Sequence, residues 1–168
     1  MYKRQIKINC TNESDFLTEL VQTLKKTKIK LLLISFPHNP TTLTVDQVFY
    51  DNLVELAEKY NFLIVNDFAY SDIYFDGNKP PSLLSSDKSL SHSVELYSLT
   101  KGFSMAGWRV GFAVGNKDAI SAVTKLKSYI DYGTFQPIQI ASTVAINDLD
   151  DYPKEVSSIY SERRSVAK

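Results

Sequence analysis

The sequence predicts an α/β protein built on a three-layer, mostly parallel sheet. Three observations carry that expectation. Short, nearly continuous apolar runs at 29–36 and 62–67 are of the kind that a strand covered on both faces requires. Between them, apolar residues recur with helical period. The connections are short enough for strand–helix–strand units, which layer helices on a sheet.

In chain order, residues 14–26 place Phe16, Leu17, Leu20, Val21 and Leu24 on one helical face. "IKLLLISF" (29–36) is the first strand. Thr44 and Gln47 fit a capping box. Beyond it Val45, Phe49, Leu53, Leu56 and Tyr60 repeat at threes and fours, a second helix. "FLIVND" (62–67) is the next buried strand, followed by a loop rich in Gly, Asn, Pro and Ser at 76–91. "VELYS" (94–98) reads as a third strand and "RVGFAVG" (109–115) as a fourth, its glycines implying close backbone approach. Asn116 is placed to cap a helix carrying Ala119, Val123, Leu126 and Ile130. Pro137 suits the first turn of another, apolar on most sides and therefore expected to be buried. From Tyr152, Val156, Ile159 and Arg163 form one stripe.

Composition narrows the function. At 168 residues, 43% hydrophobic and 23% charged, the chain can bury one real core. Nineteen basic and 19 acidic residues cancel, so there is no electrostatic footprint for nucleic acid. The one basic cluster, Lys25, Lys26, Lys28 and Lys30, reads as a solvated surface. Cys10 is the only cysteine, which excludes an internal disulfide and a cysteine zinc site and leaves a non-catalytic thiol. No apolar run reaches the ~18 residues of a membrane span. The first residues lack a signal peptide's apolar region, so a cytoplasmic location is expected.

Polar groups collect at the carboxyl ends of the strands, where open α/β sheets bind ligands. After 29–36, Asn39 sits between Pro37 and Pro40, which hold it rigidly. Asp67 closes 62–67, with Tyr70 three residues on. An aspartate there is costly to bury unless a cation or donors meet it. After 94–98 come Ser98, Thr100 and Lys101, then Arg109. Singly these are turns, caps and solvated side chains; their coincidence points to chemistry. A lysine in a pocket, its ammonium form disfavoured, is a nucleophile toward an aldehyde. An arginine fork suits a phosphate. A buried aspartate keeps a pyridine nitrogen protonated, and tyrosine and asparagine donate to a ring oxygen. Together they describe a pyridoxal 5′-phosphate site, with Asn39, Asp67 and Lys101 converging in one cavity.

"SLTKGFSMAGWRVGF" (98–112) resembles the Schiff-base lysine segment of the fold type I pyridoxal-phosphate enzymes, the class I/II aminotransferases. "PHNPTT" resembles their Asn-Pro-Thr-Gly segment and "NDFAY" their Asp-x-x-Tyr segment. The likeness extends over about residues 10 to 168 and is strongest toward bacterial alanine, aspartate and diaminopimelate enzymes. It implies that Lys101 binds the cofactor aldehyde and shuttles the substrate proton. It implies that Asp67 pairs with the pyridinium, Tyr70 and Asn39 bond the ring oxygen, and Ser98 and Arg109 bind the phosphate. Asn39 also helps hold the substrate carboxylate, and Thr100 is a further phosphate neighbour. Substrates would be an amino acid and a 2-oxo acid. The stretch 129–138 would lie near a homodimer interface, with Tyr132 and Thr134 in it. It contains no arginine for a side-chain carboxylate, which leans toward alanine.

Family members are much longer chains. Residues 1–150 therefore correspond to part of the cofactor-binding large domain, and 151–168 to the start of the helix leading to a missing small domain. The upstream phosphate loop, the ring-stacking aromatic residue and the arginine for the substrate α-carboxylate are absent. Arg163 and Arg164 are not that arginine. The expectation is a fragment with weak cofactor binding and little activity alone, which a complementary chain could complete. The alternatives are a related carbon–sulfur lyase and a non-catalytic remnant or association module. Among the remaining residues, His38 is expected to be a neutral, hydrogen-bonded loop residue and His92 solvated. Trp108 should pack the turn before 109–115, and Tyr74 and Asp76 belong to loop structure.

Overall fold

The computed structural model describes residues 5–8 and 12–167; Cys10 lies outside them. The first helix, α1 (Glu13–Lys26), starts where Asn12 accepts the Asp15 N–H at 2.9 Å. Acidic residues in its first turn and lysines in its last suit the helix dipole. Strand β1 (Leu31–Ser35) leads through the Pro37–Pro40 segment to α2 (Gln47–Tyr60). The cap of α2 is Asp46, which accepts the Phe49 N–H at 2.8 Å, and not the expected box of Thr44 and Gln47. The helix begins three residues after Thr44, out of that residue's reach. It ends at Asn61, which takes the left-handed φ of 55° common in such caps.

Strands β2 (Leu63–Asp67) and β3 (Ser93–Ser98) are parallel to β1, in the order β1-β2-β3-β4. Strand β4 (Gly111–Gly115) runs antiparallel to β3. The α/β, mostly parallel architecture is thus as the sequence predicts. Side chains alternate across the sheet. Leu32, Ile34 and Ile64 turn into a core with Phe16, Leu20, Leu24, Phe49, Tyr50, Leu53 and Ala57 from α1 and α2. Phe16, Phe36 and Phe49 meet there with ring centroids 5.5–6.2 Å apart. The opposite face carries Leu31, Leu33 and Leu96, and Leu33 is 67% exposed. Among the described residues no helical layer covers that face over β1.

Glu95 is buried on the core side, with no cationic partner among the described residues. Its Oε1 accepts the Leu83 N–H at 2.7 Å and the Asn66 amide at 3.2 Å, and its Oε2 accepts the Ser82 hydroxyl at 2.6 Å. Asn66 is itself buried and also receives the Phe36 N–H, so one polar network ties three strand ends and the 82–83 turn together.

The short helix α3 (Leu99–Gly102) follows β3 directly, and α4 (Lys117–Ile130) follows β4. Asn116 caps α4 as predicted, accepting the Ala119 N–H at 2.9 Å. Helix α5 (Gln136–Asp148) has Pro137 in its first turn, also as predicted. Its expected burial is not found: only Ser142 and Ala145 are buried, while Ile140, Val144 and Ile146 are exposed. Much of its apolar surface is therefore left exposed. In α6 (Tyr152–Ala167) the predicted stripe is half realised, with Val156 buried and Ile159 exposed. Lys25, Lys26, Lys28 and Lys30 are exposed, as expected. Trp108 is exposed rather than packed, and His92 is half-buried against the Phe62 carbonyl at 3.1 Å rather than solvated. Among the described residues no helix is long and apolar enough to cross a membrane.

Candidate active site

Register puts the polar strand ends in line. Ser35 pairs with Asp67, and Asp67 with Leu96, two residues before Ser98. Because β4 runs back along β3, its first residue Gly111 pairs with Ser98. Arg109, two residues earlier, therefore returns to the same rim. That is why a residue eleven positions after Ser98 can join residues from three other strand ends.

Asn39, Tyr70 and Lys101 come together. The Asn39 amide donates to the Tyr70 hydroxyl at 3.1 Å. Lys101 Nζ lies 5.2 Å from the centre of the Tyr70 ring, a cation–π approach. Asn39 is held by flanking prolines and by His38, whose N–H donates to Leu43 O at 2.9 Å and whose carbonyl accepts the Thr42 N–H at 2.8 Å. His38 Nδ1 meets Thr41 Oγ1 at 2.7 Å, the hydrogen-bonded loop histidine the sequence implies. Asn39 and Tyr70 line a cleft of about 370 Å³ with Tyr74, Phe75 and Arg164.

Asp67 behaves differently from expectation. It is exposed, not buried, and accepts the Ala69 N–H at 3.3 Å. It opens onto a neighbouring cleft of about 300 Å³, with Leu33, Ser35 and His38. Asn39 and Asp67 thus line two neighbouring clefts and Lys101 lines neither, so the expected convergence of Asn39, Asp67 and Lys101 in one cavity is not found. The cause is the bare sheet face on which Asp67 and Leu33 stand. Ser98 accepts the Thr100 N–H at 3.2 Å and caps α3. Arg109, exposed and left-handed at φ 52°, donates to Ala106 O at 3.2 Å. Both side chains bond locally rather than into either cleft.

Three contacts at the site have no signature in the sequence pattern. Arg164 bridges Asp76 at 3.0 Å and lies 4.9 Å from the Phe75 ring centre, closing the Asn39 cleft from α6. Ser157 Oγ donates to Asp72 O at 3.0 Å and pins α6 to the turn after Tyr70. The Tyr97 hydroxyl donates to Asp72. Each joins residues more than twenty positions apart, beyond the reach of local spacing.

The donor set fits pyridoxal phosphate. An amine, a carboxylate, an amide–phenol pair, a hydroxyl and a guanidinium occupy one rim. Among the described residues no group of three or more His, Cys, Asp or Glu side chains is placed to hold a metal ion.

The comparisons agree. The family model for aminotransferase class I and II matches residues 3–168. Glutamate-pyruvate aminotransferase AlaC of Escherichia coli K12 is 40% identical over 154 residues, covering 90% of this chain and 37% of that one. An LL-diaminopimelate aminotransferase of Nitratidesulfovibrio vulgaris is 38% identical over 162 residues, covering 95% and 42%. The solved structure of an aminotransferase from Staphylococcus aureus superposes with a TM-score of 0.78 at 40% identity, covering 86% of this chain and 38% of that one. The chain thus spans about two fifths of the length of these relatives. On its motifs, its fold and this match over nearly its whole length, the chain belongs to the class I and II aminotransferases, a family of pyridoxal-phosphate enzymes.

Proposed function

We propose that this chain carries the cofactor-holding part of an aminotransferase that passes an amino group from an amino acid to a 2-oxo acid. The observation that carries this is the meeting of Lys101, Tyr70 and Asn39 at the rim where Asp67 and Ser98 end their strands. Pyridoxal phosphate, when bound, supplies an aldehyde for the amino group and a ring that accepts electrons. Lys101 Nζ is the group to hold that aldehyde and to take and return the proton at the substrate α-carbon. Asp67 would keep a proton on the ring nitrogen, and Asn39 and Tyr70 would orient the ring through its oxygen. Arg109 and Ser98 would hold the phosphate, the first through its guanidinium and the second through its hydroxyl. The stretch around Tyr132, a residue 95% exposed, suits an interface with a second chain.

Residues 1–150 would form part of the large domain and 151–168 the approach to a substrate-binding domain. With that domain and the upstream phosphate loop supplied by no described residue, little turnover is expected from this chain alone; positioning contributes about 7–11 kcal/mol in such reactions. A second reading, a non-catalytic association module, is favoured by the bare apolar sheet face and exposed α5.

The test is to incubate the chain with pyridoxal phosphate, reduce with borohydride and map the labelled lysine. Label on Lys101, lost in Lys101→Ala without loss of helical signal, is the expected result. Label spread over surface lysines would favour the association module. Amino transfer from alanine or diaminopimelate to 2-oxoglutarate, with any complementing chain added, then distinguishes substrates.

A further inference from the structure

We infer that Asp72 and Tyr97 form a positioning clamp that sets Lys101 against Tyr70, an inference resting on the assignment of Lys101 to the cofactor. Three elements converge on Asp72, two on its carboxylate and one on its carbonyl. From β3, the Tyr97 hydroxyl donates to Oδ2. From α3, Gly102 packs so closely that a Cβ there would lie 2.5 Å from that oxygen and 2.9 Å from Asp72 Cβ. From α6, Ser157 fastens the Asp72 carbonyl at 3.0 Å. Asp72 lies two residues after Tyr70, and Gly102 follows Lys101 directly. The carboxylate therefore locks the backbone beside the lysine onto the turn carrying the tyrosine, and the 5.2 Å approach of Nζ to the ring depends on that lock.

The donor is itself held. The Tyr97 ring stacks on Phe112 with centroids 4.8 Å apart. Burial first, and then the hydrogen bond and charge of Asp72, push its phenol above the ordinary range, so Tyr97 stays protonated and donating. Only glycine at 102 lets α3 come this close. Among the described residues no hydrogen bond joins Asp72 or Tyr97 to Asn39 or Lys101, so they act through the backbone.

The experiment compares wild type with Tyr97→Phe, Asp72→Ala and Asp72→Asn, the last keeping an acceptor oxygen. One readout is amide exchange over residues 99–103, which needs no cofactor. The other is the pyridoxal phosphate concentration that half-saturates borohydride-trapped label on Lys101. Tyr97→Phe and Asp72→Ala should each speed exchange and raise the half-saturating concentration about tenfold, as expected for one hydrogen bond to a charged group. Asp72→Asn should restore both to within about twofold. The double variant Tyr97→Phe/Asp72→Ala should be no worse than the worse single one. Unchanged exchange at 99–103 in Tyr97→Phe, or faster exchange with unchanged labelling, overturns the clamp. If wild type itself takes no label, the cofactor assignment has failed for the isolated chain, and the exchange readout alone decides whether the clamp exists. Exchange in α2 serves as the control for global stability.

Discussion

Replacing Glu95 tests how the sheet is tied to its loops. Glu95 is 6% exposed, no cation among the described residues pairs with it, and its two oxygens are met by three donors, from Asn66, Ser82 and Leu83. In Glu95→Ala, Asn66 keeps the Tyr50 hydroxyl at 3.1 Å and can bond there. The Ser82 hydroxyl can rotate toward water. The Leu83 N–H can do neither and is left unsatisfied, a cost of about 1–3 kcal/mol. Loss of the other two bonds and the space left by the side chain add to it. Removing a polar group that had to be desolvated subtracts. The net is a destabilisation of about 2–4 kcal/mol. Glu95→Gln behaves differently. Its carbonyl can face Leu83 and Asn66 while its amide donates to Ser82, so the loss should be about 1 kcal/mol or less. Urea unfolding followed by far-UV circular dichroism reads the global effect, and exchange of the Leu83 amide the local one. Equal costs for the two variants, or a cost below about 1 kcal/mol for Glu95→Ala, would refute the network's role.

Three further outcomes are expected. Gly115 has a φ of 141°, and a Cβ there would lie 2.1 Å from the Ser93 carbonyl oxygen; Gly115→Ala should cost about 2–4 kcal/mol in urea unfolding and loosen β4. Asp87 is buried, which opposes ionisation, but N–H donors from His92 and Ser91 and the Ser89 hydroxyl outweigh this and hold its pKa below the ordinary value. The stability it adds is therefore complete above the unfolded-state pKa and is lost as pH falls through the folded one. Between about pH 5 and 2 the wild-type Tm should fall more steeply than that of Asp87→Asn. Leu33→Lys, on the bare face, should leave stability within about 0.5 kcal/mol and reduce light scattering of concentrated solutions.

What the one-dimensional pattern could settle was whatever depends on neighbours in the chain. The apolar runs at 29–36 and 62–67 contain the strands Leu31–Ser35 and Leu63–Asp67, and the three-and-four spacing from Val45 runs into the helix Gln47–Tyr60, because burial of a face imposes its period on the residues. Asn116 and Pro137 announce their helices because capping is local. That Asn39, Asp67, Tyr70 and Lys101 lie just beyond or at strand carboxyl ends is legible because the strands themselves are. Tertiary structure alone decided burial. Asp67 and α5 look destined for an interior by composition, yet each is exposed, because burial depends on what packs against a face and not on the face itself. The antiparallel return of β4, which brings Arg109 to the rim, and the closure of Asp72 on Tyr97 and Gly102 were likewise decided only in three dimensions. Hydrogen bonds and steric contacts across 25 or 30 residues leave no period in the sequence.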